Sequence, residues 1–165
     1  MKYFATQNVV MFAGLLAVPV VTAVDRPTPT ATPQQGDPRL PVLKAFFDRY
    51  GCPVSAYSVE FLIAADENDL DWRLLPSISL IESGGGKQSK KNNIFGWQSA
   101  KGEFPSVRVA IRTVASRLAN SKLYKDKDLD GILNTYNHEP EYPYRVKSVM
   151  RRLGSADMGP NTALN

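Results

Sequence analysis

The residues best placed to do chemistry lie between Leu75 and Gln98, in the run LPSISLIESGGGKQSKKNNIFGWQ. Leu75, Ile78 and Glu82 are spaced by three and four positions. A helix with that spacing brings the Glu82 carboxylate out on its apolar face. Gly84, Gly85 and Gly86 follow after Ser83, so Glu82 falls in the last turn, where the helix dipole presents negative charge. Desolvation and the dipole both disfavour the anion, and both raise its pKa. A carboxyl group kept protonated near neutral pH is a general acid, of the kind that protonates a glycosidic oxygen. The glycines predict a sharp exit from the helix and close approach of a bulky polymer. Phe95 and Trp97 offer flat faces to sugar rings, and Asn92, Asn93 and Gln98 offer amide hydrogen bonds. The plain alternatives are a surface Glu82 and a core position for Phe95 and Trp97.

The elements that must hold these residues read as helices. Residues 42–50 form the first, ending at Gly51. Ser58 is placed to cap a second, running to about residue 68, with Phe61, Leu62, Ala64 and Ala65 apolar. A third leads into Glu82, and Pro76 predicts a kinked or separate first turn. Ser106 can cap a fourth, where Ile111, Val114, Ala115 and Leu118 share one face and Arg108, Arg112 and Arg117 lie elsewhere. Asp128 can cap a short fifth helix over 129–136. Pro143 suits the first turn of the last, with Val146, Val149, Met150 and Leu153 on the i, i+3, i+4, i+7 rule. Between the third and fourth, 94–98 and 102–104 predict a small β-hairpin turning at Ser99-Ala100-Lys101-Gly102. The expected class is mainly α.

Composition narrows the chemistry. The chain has 165 residues, 43% hydrophobic and 22% charged, which excludes disorder throughout. Cys52 is the single cysteine and His138 the single histidine, which excludes zinc sites built from several such ligands. The net charge of +4 is spread thinly. No basic run exceeds Lys90-Lys91 or Arg151-Arg152, so no nucleic-acid stripe is expected.

Residues 1–23 read as a secretory signal: Lys2 supplies the positive start, Val9 to Val18 the apolar run, and Val21-Thr22-Ala23 the segment before a cut. The run is shorter than the roughly 20 residues that span a bilayer, although a retained anchor is the alternative. Residues 24–41 carry Pro27, Pro29, Pro33, Pro38 and Pro41 and read as a semi-extended linker. The folded domain is expected at 42–153, with a fraying tail at 154–165. Secretion, or a periplasmic or cell-wall location, follows from this reading, with no stable membrane association once the signal is removed.

Glu82-Ser83 at a helix end, then Asn92-Asn93-Ile94-Phe95-Gly96-Trp97, resembles the bacterial endo-β-N-acetylglucosaminidase family. In that family a helix ending in the catalytic Glu is followed by Asn-Asn-hydrophobic-Phe-Gly. The wider lysozyme-like superfamily includes the lytic transglycosylases, to whose motifs Gly96-Trp97-Gln98, Tyr136-Asn137 and Tyr142 are similar in type and order. The resemblance spans about residues 58–153. It implies a lysozyme-like helical domain with a short β-hairpin that acts on peptidoglycan glycan strands, without a cofactor or metal; a monomer is expected. It implies Glu82 as catalytic acid, and Ser83, Asn93, Phe95, Gly96, Trp97, Gln98, Tyr136, Asn137 and Tyr142 as substrate-binding residues. Tyr136 would orient the sugar or stabilise positive charge near the anomeric carbon, or else be a half-buried aromatic at a helix end.

One departure matters. The glucosaminidases carry a second acid on a longer β-lobe, whereas the expected hairpin here holds only Glu103. Glu103 reads first as a solvated charge and second as that acid. Three routes stay open: hydrolysis assisted by the sugar's N-acetyl group, closure of its C6 hydroxyl as in lytic transglycosylases, or binding without catalysis.

Other signals are weaker. Asp126, Asp128, Asp130 and Gly131 match the first half of a calcium loop. Position twelve would be Asn137, so a polar loop with an N-cap is the better reading. Gly84-Gly85-Gly86-Lys87 lacks the remaining signature of a P-loop. Cys52 is expected buried and inert, and His138, beside Glu139, solvated.

Overall fold

The computed structural model describes residues 36–99 and 101–157. The signal expected at 1–23, residues 24–35 of the expected linker, Ala100 and residues 158–165 lie outside the described residues. The fold is mainly α. Among the described residues six α-helices follow in order: α1 (Arg39–Arg49), α2 (Ser58–Asp66), α3 (Leu74–Ser83), α4 (Val107–Asn120), α5 (Leu129–Tyr136) and α6 (Tyr142–Asp157).

The caps explain where several begin. Ser106 accepts a hydrogen bond from the Val109 N–H at the start of α4, and Asp128 accepts one from Gly131 at the start of α5. Each satisfies a donor that the first helical turn leaves free. In α6, Val146, Val149, Met150 and Leu153 are all buried, as their spacing predicts. Burying each such side chain contributes roughly 1.5–3 kcal/mol. Ile111, Val114, Ala115 and Leu118 of α4 are buried in the same way. On the outer side of α4, Arg108 and Arg112 both reach the buried Glu60 of α2. The two guanidinium groups compensate a carboxylate that would otherwise be stranded.

α3 packs on α6 and on α2, while α1 and α5 also lie against α6. Leu75 and Ile78 have no exposed surface and join Phe47, Phe61 and Phe95 in the core.

Four expectations change. α1 opens at Arg39, ahead of the expected Val42, because Pro41 sits in its first turn, where its missing N–H costs nothing. Ser58 does not cap α2. A short 3₁₀ turn, Pro53–Tyr57, runs straight into the helix, and the Ser58 hydroxyl donates back to the Ser55 carbonyl. Pro76 leaves α3 continuous, since it too lies in the first turn.

The fourth change is the hairpin. Among the described residues there is no strand between Ile94 and Phe104. Lys91, Asn92, Gly96, Gln98 and Ser99 all have positive φ, which breaks any extended run. Ile94 and Phe95 are both fully buried, so the in–out alternation of a half-buried strand is absent. The chain forms a looped turn instead, closed by Lys101 N–H to Gln98 O and Gly102 N–H to Trp97 O.

Candidate active site

Glu82 lies in the last turn of α3. The helix ends at Gly84, left-handed at φ +62°, whose N–H reaches the Leu80 carbonyl while that of Gly85 reaches Ser79. A side chain at Gly86 would meet Val54, and one at Gly85 would collide with Cys52. The triple glycine therefore turns the chain inward onto the core. It is not an open platform for a polymer, as the sequence had suggested.

Ser83, Asn93 and Phe95 have structural duties in place of the expected substrate contacts. The buried Ser83 hydroxyl donates to the Ile94 carbonyl at 2.7 Å and accepts from the Gly86 N–H at 2.9 Å. Asn93 is buried, and both ends of its amide are taken within the loop. Its Nδ2 donates to the Trp97 carbonyl at 3.0 Å, and its Oδ1 accepts from the Trp97 N–H at 2.9 Å. Phe95 has no exposed surface and packs edge-on against Phe61, so its ring cannot receive a sugar. The burial of three successive side chains explains this, since the loop anchors itself through Asn93, Ile94 and Phe95.

That anchoring places Gly96 against the acid. A Cβ at Gly96 would come within 2.5 Å of Glu82 Oε2, and its φ of +62° also calls for glycine. The other oxygen is held as well: the Tyr142 hydroxyl donates to Glu82 Oε1 at 2.7 Å. Tyr136 donates to the Phe95 carbonyl at 2.5 Å, and its ring stacks on Tyr142 with centroids 5.9 Å apart and planes 7° from parallel. Trp97, half-buried, leans on Tyr136 at 5.7 Å.

The result is an open cavity of about 640 Å³ lined by Glu82, Gly96, Tyr136, Asn137, His138 and Glu139, among others. An adjoining cavity of about 600 Å³ shares Gly96, Ser99, Tyr136 and His138, and adds Trp97, Gln98, Glu103 and Tyr124. Together they form a groove with an acid at one end and aromatic rings along it.

Burial pushes the Glu82 carboxyl above its ordinary value. The Tyr142 hydrogen bond and the Arg145 charge oppose that shift, and the Glu139 charge adds to it. Tyr136 and Tyr142 are raised too, by burial and by the nearby Glu82, so both phenols stay protonated and remain donors.

The structure thus brings Glu82, Gly96, Tyr136 and Asn137 to one cavity, with Trp97 and Gln98 on the adjoining wall and Tyr142 buried behind Glu82. Glu103 is exposed, paired with Lys91, and lines only the adjoining cavity among these two. The sequence reading set His138 aside as solvated and gave its neighbour Glu139 no role. Both are exposed, yet both line the Glu82 cavity. The available signal was their place directly after Tyr136-Asn137. The calcium-loop residues are engaged elsewhere: Asp128 caps α5, and Asp130 pairs with Lys147 at 2.6 Å. Cys52 is buried, and burial raises its thiol pKa.

No protein-family model matches this chain, and no curated protein or solved structure matches it either. Among the described residues, no helix is long and apolar enough to cross a membrane.

Proposed function

We propose that the protein is a cell-wall glycosidase that cleaves β-1,4 bonds in peptidoglycan glycan strands, with Glu82 as general acid. One observation carries this reading: a carboxyl group with a raised pKa borders an open cavity, one oxygen fixed by Tyr142 and the other against Gly96. Such a group is protonated where an ordinary glutamate is not, and is already oriented toward the space a substrate would enter. Trp97 and Tyr136 line the adjoining cavity, an aromatic lining of the kind that suits sugars. The arrangement of a buried helix ending in an acid beside an aromatic groove fits the lysozyme-like domain that the sequence motifs imply. A proton passed from Glu82 to the bridging oxygen lets the glycosidic bond break, and the resulting carboxylate regains a proton before the next turnover.

Glu82→Gln tested beside wild type on cell-wall suspensions decides the matter. Clearing by wild type alone supports the reading. Equal clearing by both proteins would remove Glu82 from the chemistry. Failure of either protein to clear, with both pelleting on the wall, would favour a binding module. Mass spectrometry of the fragments separates hydrolysis, which leaves reducing ends, from transglycosylation, which leaves 1,6-anhydro ends.

A further inference from the structure

The second acid missing from the 94–104 loop has a counterpart on another element. Glu139 lies between α5 and α6 and lines the same cavity as Glu82. Two backbone bonds fix its position. Its N–H donates to Asn137 Oδ1 at 2.9 Å, and its carbonyl accepts from the Tyr142 N–H at 2.9 Å. Tyr142 therefore holds Glu139 through its backbone and Glu82 through its hydroxyl. Arg145 reaches the Glu139 carboxylate at 3.5 Å. The side chain remains well exposed, so water has access to it. Two carboxyl groups share one cavity in different surroundings: Glu82 is half-buried and inclined to keep its proton, while Glu139 is solvated beside a guanidinium. That division suits one acid and one base.

We propose that Glu139 is the second carboxylate of the site and acts as general base on water, an assignment that rests on the glycosidase reading of Glu82. Glu139 accepts a proton from a water molecule as its oxygen bonds to the anomeric carbon. The bond to the bridging oxygen breaks, and that oxygen keeps the electron pair and takes the Glu82 proton. The products are a reducing end and a free hydroxyl. Solvent then carries the proton from Glu139 back to Glu82, so one water is consumed and no other reactant is needed.

The test uses the full chain on purified peptidoglycan, with wild type, Glu82→Gln and Glu139→Ala compared and sodium azide added to each. Glu139→Ala should lose turnover by roughly 100-fold or more, as removal of a general base does. Azide needs no base, so it should restore cleavage in that variant and leave glycosyl azide ends with inverted configuration. Turnover of Glu139→Ala close to wild type, with Glu82→Gln inactive, would overturn the role of Glu139 and leave Glu82 in place. Loss that azide does not repair would overturn it too, as would 1,6-anhydro ends made by wild type. Activity retained by Glu82→Gln would instead overturn the reading on which it rests.

Discussion

The Tyr142 hydroxyl donates to Glu82 Oε1 at 2.7 Å across 60 positions of sequence, joining the last turn of α3 to the first residue of α6. The bond does two things at once. It fixes the rotamer of the proposed acid, and it moderates the rise in pKa that burial imposes.

Tyr142→Phe should therefore raise the Glu82 pKa further, because the variant keeps the burial and loses the donor. The alkaline limb of the pH–activity profile is expected to move to higher pH, with the acidic limb unmoved. Loss of a hydrogen bond to a carboxyl group should also cost about 1–3 kcal/mol of stability, read by denaturant unfolding. An unchanged alkaline limb would show that the phenol does not act on Glu82.

Gly96 and Gly84 share the same left-handed backbone and differ in what a side chain would meet. Gly96→Ala puts a methyl group into Glu82 Oε2, while Gly84→Ala meets only the Lys87 side chain at 3.7 Å. Both should lose about 1–3 kcal/mol to backbone strain. Only Gly96→Ala should also lose turnover, by on the order of 100-fold, since displacing a catalytic group by an ångström has that effect. Melting curves and turnover measured on the pair check the contrast. Equal activity in the two variants would argue against it.

Glu82 should also leave a mark on stability. Its folded-state pKa lies above the ordinary 4.5, chiefly through burial. The folded protein therefore binds this proton more tightly than the unfolded chain. The stability this contributes is present below the unfolded value and is lost as pH rises through the folded one. Tyr142 and Arg145 of α6, Tyr136 of α5, and His138 and Glu139 of the connecting loop are the polar groups around it. Glu82→Gln keeps an acceptor for Tyr142 and cannot ionise. It should melt higher than wild type at about pH 7, and the gap should close near about pH 4. A gap independent of pH would contradict the burial argument.

Asn93→Ala should loosen the loop. Two hydrogen bonds that tie Asn93 to the Trp97 backbone would vanish, at a cost of about 2 kcal/mol. Trp97 would lose its fixed place beside Tyr136, so KM for glycan fragments should rise more than kcat falls. A fluorescence change for Trp97 alongside the kinetic split would separate this from general destabilisation.

Much of the scaffold was legible because its causes are local. The 3.6-residue period of α4 and α6, the caps at Ser106 and Asp128, and the glycine exit after Glu82 act within one or two helical turns. The same short-range pattern put Glu82 on the apolar face of α3. The loop after it was harder. Phe95 and Trp97 are both aromatic, and only the packing of Phe61 against the loop decides that one is core and the other lines the groove. The hairpin expectation failed because alternation in 94–98 was too short to outweigh burial of adjacent side chains.

The amino-acid sequence by itself determined the helices, their apolar faces, and an acid placed where its charge is disfavoured. Tertiary structure decided what surrounds that acid. Tyr142 meets Glu82 because α6 packs on α3, and Glu139 reaches the cavity because the α5–α6 connection closes over the same end. Such contacts join residues far apart in the chain, and the free energy that selects them belongs to the packed core as a whole. No period or spacing within one segment encodes it.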